Sequence, residues 1–281
     1  VNGSVTQGLV GWWKFDETNG TTAHDSSGNE NNGTLVNGPT WTQGKIGGAL
    51  SFDGVDDRLQ LPKSTLNGRH AFSYLLWFKM KDDSATRHAF LSGSNNASGN
   101  EILFWTIDFE LSVQDHNLVR GETNSFDSSF WVNSWKMLSY VRTVDGMTVF
   151  VDGQEVKSIS YSTNPLNIHD NGLWIGADQD SVGGGWESNQ FLKGLIDDVR
   201  IYDRALSATE VQALYELGTD DSTTVTTGEG ATIVSGQVAP GSITTAQLNE
   251  SILKYLRPEI TSSPQAPGLV FNGQSVTLAS Q

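Results

Sequence analysis

The sequence predicts an all-β protein, a two-sheet antiparallel jelly-roll sandwich. Three observations carry this: apolar residues come in short runs, Gly and Asn punctuate them, and Asp-Gly dipeptides separate segments of alternating polarity. Taken in order, Ala49-Leu50-Ser51-Phe52 runs into Asp53-Gly54, and Val141-Arg142-Thr143-Val144 into Asp145-Gly146. Thr148-Val149-Phe150-Val151 then runs into Asp152-Gly153. Each is the pattern of a strand entering a two-residue hairpin, and a succession of them is an antiparallel meander that hides its edges by packing two sheets face to face. One helix is marked at the end of this region: Ser207-Ala208-Thr209-Glu210 is a capping box, Val211, Leu214, Tyr215 and Leu217 follow at helical spacing, and Gly218 stops it.

This closes a domain over residues 1–218. Residues 219–230 are polar, Thr-rich and aperiodic, the composition of a linker. In the tail, 231–281, a short helix is expected at about 245–256, with Leu248, Ile252 and Tyr255 on one stripe and Pro258 ending it. Pro267 to Gln281 reads as the first strands of a truncated β domain. A dozen helical residues are marginal alone, and the stripe resembles a heptad seam, so the tail is expected to form a homo-oligomer, a trimer before a dimer, unless the helix docks on its own sandwich.

Thirty-two acidic residues against 17 basic ones give a formal net charge of −15. That field repels phosphate backbones and anionic membranes, so nucleic-acid partners are not expected, and no apolar stretch is long enough for membrane insertion. Cysteine is absent, which removes disulfides, thiolate metal sites and cysteine nucleophiles together. The five histidines lack ligand spacing, and no nucleophile elbow, zinc helix or phosphate loop occurs.

The order of motifs resembles a known family. Gly8-Leu9-Val10-Gly11-Trp12-Trp13-Lys14-Phe15-Asp16-Glu17, Asp25-Ser26-Ser27-Gly28-Asn29 and Gly47-Gly48-Ala49-Leu50-Ser51-Phe52-Asp53-Gly54 are similar to the opening of bacterial laminin-G-like domains. Leu173-Trp174-Ile175-Gly176 and Gly194 to Ser207 are similar to their ending. The resemblance implies the concanavalin A-like jelly roll, a secreted or cell-surface bacterial protein, binding of glycans or matrix components, and frequent use of calcium. The final residues resemble the start of an immunoglobulin-like repeat.

The same fold in family-16 glucanases implies a catalytic alternative, with three carboxylates on alternate residues of one strand. In Trp105-Thr106-Ile107-Asp108-Phe109-Glu110 the residues Asp108 and Glu110 would be in phase, but Thr106 stands where the nucleophile belongs, so no catalytic residues are assigned. Asp108 and Glu110 remain as ligand-binding candidates. In Leu195-Ile196-Asp197-Asp198-Val199-Arg200-Ile201, alternation places Asp197 with Leu195, Val199 and Ile201 on the apolar face. A carboxylate there needs a partner, either backbone amides, an arginine or a calcium ion. The resemblance implies co-ligands from the Asp53-Gly54 turn and Asp16, with Asp25 as a further one. Trp186, in the Gly-rich loop from Ser181 to Asn189, is the expected contact for a sugar ring. The expected function is therefore a non-enzymatic, calcium-stabilised carbohydrate-binding or adhesion module; a structural spacer and a divergent glycosidase are the alternatives.

Overall fold

The computed structural model describes residues 5–81, 87–95, 100–107, 109–116, 118–123 and 126–219, and beyond them 225–226, 232–233, 260–263, 266–271 and 274–277. The chain divides into two compact units, Val1–Glu216 and Leu217–Gln281. The first begins with β1 (Leu9–Trp13), β2 (Thr22–Ala23), β3 (Gly33–Val36), β4 (Thr40–Gln43), β5 (Gly48–Asp53) and β6 (Arg58–Gln60). Next come β7 (Phe72–Met80), β8 (Arg87–Ser94), β9 (Asn100–Ile107), β10 (Glu110–Asp115), β11 (Leu118–Glu122) and the single turn α1 (Ser128–Trp131). It closes with β12 (Lys136–Thr143), β13 (Gly146–Val151), β14 (Gln154–Ser160), β15 (Leu173–Ile175), β16 (Lys193–Tyr202) and α2 (Ala208–Thr219).

These strands form the two antiparallel sheets expected. One runs β14-β13-β12-β7-β16-β5-β4, with β1 also paired to β16; the other runs β11-β10-β9-β8-β15-β6-β3-β2. Alternation along β7 explains the layering. Phe72, Tyr74, Leu76, Phe78 and Met80 enter the core between the sheets, while Leu75 and Trp77 point outward into a second apolar cluster with Val211 and Leu214 of α2. Burying both faces is why β7 is a nearly continuous apolar run.

The Asp152-Gly153 turn joins Val151 to Gln154 with φ of 51° and 77°, the left-handed pair a two-residue hairpin demands. At the preceding hairpin Thr143 pairs with Gly146, so Val144 and Asp145 make the turn rather than Asp145 and Gly146. Gly146 is instead a strand residue at φ 146°, where a Cβ would lie 2.0 Å from the Ile159 carbonyl oxygen. The capping box is formed: the Glu210 amide donates to Ser207 Oγ (3.3 Å) and the Ser207 amide to Glu210 Oε2 (2.9 Å). Hydrogen bonding from Arg204 outweighs partial burial and lowers the Glu210 carboxyl to about 2. α2 ends at Thr219, one residue past the expected stop.

In the second unit, β17 (Val225–Thr226) pairs with β18 (Thr232–Ile233), so two β-branched residues inside the expected linker take a strand partner. β19 (Ile260–Ser263), β20 (Ala266–Phe271) and β21 (Gln274–Thr277) form a three-stranded meander, whose β19 precedes the segment 267–281 read as strands. The helix expected at 245–256, and with it the trimer seam of Leu248, Ile252 and Tyr255, lies outside the described residues.

One ion pair crosses the core. Arg142 of β12 is fully buried and donates through Nε to Asp115 Oδ2 of β10 (2.9 Å) and through Nη2 to Asp115 Oδ1 (3.2 Å). The remaining guanidinium donors reach the carbonyls of His70 and Asn164 at 2.7 Å, and Tyr161 Oη donates to Asp115 at 2.8 Å. Burial alone would raise the Asp115 carboxyl, but the hydrogen bond and charge of Arg142, with Tyr161 and His116, outweigh it and hold it below its usual value. Arg142→Met should therefore destabilise the domain by about 3–5 kcal/mol, because it strands a buried carboxylate. Urea titration measures this; a loss below about 1 kcal/mol would mean that Tyr161 and His116 suffice for Asp115.

A buried oxygen cluster beside a tryptophan pair

The structure does not assemble the expected calcium ligands into one site. Asp197 is fully buried, and its Oδ2 accepts from the Ile46 amide (2.7 Å); Asp16 Oδ1 accepts from the Gly48 amide (2.8 Å). These two carboxylates thus fasten the loop that enters β5. Asp53 and Gly54 lie at the far end of that strand, about 16 Å away at ~3.3 Å per residue. Asp25 organises its own loop, accepting from the amides of Trp12, Ser27 and Asn31 at 2.8–2.9 Å.

The phase expected for Asp197 also changes. A β-bulge interrupts β16 between Asp197 and Arg200, with Asp198 at φ 49°. The core therefore receives Ile196, then Val199 and Ile201, and Asp197 shares the outward side with Leu195. Asp198 is the residue the bulge reorients: Trp12 Nε1 donates to its Oδ1 (2.5 Å), and Arg200 pairs with its Oδ2 (2.9 Å).

Trp105 to Glu110 is not a single strand. β9 ends at Ile107, and Glu110 opens β10 opposite it, so Thr106 and Glu110 stand on different strands. Thr106 is buried on the side of Ile102 and Phe104, facing the core. Phe109 at φ 69° belongs to the hairpin turn, and Asp108 lies outside the described residues.

Residues that no sequence motif singled out do come together. Across the second sheet, Leu103 pairs with Ser92, Ser92 with Trp174, and Trp174 with Gln60, a row on the face away from the core. Ser92 Oγ donates to Asn100 Oδ1 (3.1 Å), and Asn100 Nδ2 donates to Asp178 Oδ1 (2.8 Å). The bridge between Ala177 and Phe191 sets Asp178 opposite Gln190. Gln190 is 5% exposed, and its Oε1 is buried with no hydrogen-bond partner among the described residues. Asp178 is 3% exposed, and burial, with a smaller push from Asp180, raises its carboxyl to about 6. Asp180 is raised as well, by burial and then by Glu187, against the opposing charge of Arg87. Gln179 pins the loop: its Nε2 donates to the Gly172 carbonyl (2.8 Å) and its Oε1 accepts from the Gly183 amide (2.9 Å).

The buried Asp178 and the exposed Asp180 beside it, with neutral amide oxygens and no salt bridge to either carboxylate among the described residues, form a hard, all-oxygen donor set. Such a set fits a divalent cation such as calcium. Asn100, Asp178, Asp180 and Gln190 would hold it. The signal in the sequence was the alternation of Asp178 and Asp180 just ahead of the Gly-rich loop.

Trp186 sits at the edge of this cluster. A Cβ on neighbouring Gly185 would approach Asp180 Cβ to 2.9 Å. The Trp186 ring is half-buried, packed edge-on against Trp174 (5.4 Å, 81°) and beneath the Arg58 guanidinium (4.7 Å). Its loop position had suggested little local packing; Trp174, Phe191 and Arg58 supply it. A second acidic group, Asp53, Asp56 and Asp57, brings one oxygen of each within 4.8 Å of the others. There Asp57 is raised to about 6 by burial and then by Asp53, while the turn's own amides occupy part of the set.

The profile of the family Laminin_G_3, described as the concanavalin A-like lectin/glucanases superfamily, matches residues 53–212. C-reactive protein of Oryctolagus cuniculus is 30% identical over 154 residues, 53% of this chain and 66% of that protein. The chain thus spans just under two thirds of that relative's length. Domain 4 of AbnA, an extracellular arabinanase of Geobacillus stearothermophilus, solved with arabinotriose, superposes with a TM-score of 0.56 at 22% identity, covering 74% of this chain and 98% of that one. The binding domain of Paraclostridial Mosquitocidal Protein 1 gives 0.58 at 18% identity, over 80% of this chain and 55% of that one. At these identities the structural likenesses establish the fold.

The raised Asp178 carboxyl has a measurable consequence in chelator. The unfolded chain ionises near the ordinary value of 3.8 and the folded one only near 6, so the unfolded state sheds protons first and stability should fall as pH rises across that window. Each pH unit between those two values is worth ~1.4 kcal/mol, giving a loss on the order of 2–3 kcal/mol. Asp57 titrates in the same direction, so Asp178→Asn should reduce the slope by about half. Melting curves from about pH 4 to 7 test this, and an unchanged slope would place the titration elsewhere.

Proposed function

Because the chain belongs to the Laminin_G_3 family of the concanavalin A-like lectin/glucanase superfamily, we propose that it is a non-catalytic, extracellular carbohydrate-binding module whose ligand face is organised by calcium. The observation that carries this reading is the buried cluster of Asn100, Asp178 and Gln190, with the exposed Asp180 at its rim, next to the half-buried Trp186. Two carboxylates held with raised pKa and an amide oxygen left without a donor among the described residues are unfavourable by themselves. A bound cation satisfies all of them and fixes the loop that carries Trp186. The likeness to an arabinanase domain solved with arabinotriose supports a saccharide as the ligand class. Open sites of this kind, with few protein ligands, fill at extracellular calcium levels.

Absence of catalysis is part of the same proposal. A retaining glycosidase needs two carboxylates roughly 5 Å apart across a cleft. Thr106 faces the core and carries no carboxylate, and Glu110 begins the next strand, so positions 106 and 110 do not supply that pair. Reducing-sugar release from β-glucans should be undetectable, and release abolished by Glu110→Gln would overturn the assignment.

Calcium at a hundredfold excess over its Kd should stabilise the fold by about 2.7 kcal/mol, because only the folded state binds it. Scanning calorimetry in calcium and in EDTA measures the difference. Asp178→Asn and Gln190→Leu should abolish it, whereas Asp197→Asn should leave it in place. Loss in Asp197→Asn alone would move the ion to the Asp16 and Asp197 loop, and no calcium effect in the wild type would remove the ion from the proposal. A glycan array probed with and without calcium, arabino-oligosaccharides included, tests the ligand class directly.

A further inference from the structure

Arg58 is a cation of the ligand face that rests on its two tryptophans. Acidic residues outnumber basic ones 32 to 17, yet the Arg58 guanidinium makes no salt bridge among the described residues. Its one hydrogen bond is from Nη1 to the Asp56 carbonyl (2.8 Å), a neutral acceptor. Its Nε is buried without a partner among the described residues, Nη2 donates to none of them, and the side chain as a whole is only half-buried. The group lies over two indoles at once, 4.7 Å from the Trp186 ring centre and 5.5 Å from that of Trp174. Burial lowers its pKa, only partly offset by the nearby Asp56 charge.

A guanidinium that merely braced two tryptophans could keep its charge in water. Here it is desolvated on one edge, oriented by two rings and open on the other, as in arginines that recognise planar anions. Resting on the carbohydrate-binding reading above, we propose that Arg58 receives the carboxylate of a sugar acid, so that the saccharide class bound at Trp186 is one containing uronic or related acidic residues. A sugar acid joins an apolar C–H face to a carboxylate on one ring, matching an indole beside a guanidinium; a free phosphate brings no apolar face to Trp186. A carboxylate accepting from Nη2 forms a charge-assisted hydrogen bond, and the low-dielectric indole walls strengthen it.

The test is titration calorimetry of the full chain in calcium with trigalacturonate, its methyl ester and a polyglutamate peptide of equal charge. The acid should bind at least tenfold tighter than the ester, and this ratio should collapse to about one in Arg58→Gln. Arg58→Lys, which keeps charge and bulk, should recover only part of it, because an ammonium lacks the planar fork. Melting curves confirm that both variants are folded. Equal binding of acid and ester by the wild type would overturn the proposal while leaving saccharide binding intact, as would a ratio preserved in Arg58→Gln. Polyglutamate binding as tight as the acid would identify an anion site without sugar selectivity and overturn it too. Failure of every saccharide to bind would remove the carbohydrate reading along with it.

Discussion

The two sheets meet through an aromatic stack. Phe104 of one sheet lies flat on Tyr140 of the other, with centroids 4.0 Å apart and planes 6° from parallel. Tyr74 stacks against both, at 5.9 Å and 6.3 Å. Offset rings of this size bury more area than any aliphatic pair and fix both the spacing and the sliding of the sheets. The stack has a cost: Tyr140 Oη is buried without a partner among the described residues, and burial drives both phenols far above their ordinary pKa. Tyr74 avoids part of it by donating to the Phe90 carbonyl (2.9 Å). Arg142 and Asp115 lock the same two sheets at a second point by hydrogen bonding.

Because the inner faces are filled in this way, chemistry can reside only outside them. On the first sheet, α2 and the loop before β5 cover the outward residues of β7, β12 and β16, leaving an apolar layer with Ile46 and Tyr215 packed on it. On the second sheet, the outward row through Ser92, Trp174 and Gln60 carries polar and aromatic side chains. The loop from Asp178 to Gln190 folds onto it, placing buried oxygens and an indole side by side. The asymmetry between the outward faces thus follows from which of them the helix covers.

The carboxylates sort by environment. Those that accept backbone amides at short range, Asp16, Asp25 and Asp197, act as loop fasteners, each replacing the ladder bonds that a turn removes. Asp178 has the Asn100 side chain, the Gln179 backbone and the charge of Arg87, which together offset only part of its burial, so its charge stays unfavourable until a cation arrives. The acidic surplus of the chain therefore contains at least two chemically different populations, which a net charge cannot distinguish.

Local sequence was enough to specify the sandwich, the Asp152-Gly153 hairpin, the cap of α2 and the alternation that buries both sides of β7, because each depends on residues close in the chain. It could not place the bulge at Asp197 and Asp198, since an inserted residue leaves local composition unchanged while inverting every face assignment behind it. Nor could it show that Trp105 to Glu110 turns a corner, because Phe109 at a positive φ carries no glycine to announce it. The cluster of Asn100, Asp178 and Gln190 and the seat of Arg58 between two tryptophans join β6, β8, β9 and β15 with the loop before β16. Sites of this kind are set by the closed fold, because burial and the loss of water that gives these groups their energetics exist only once distant strands have come together over them.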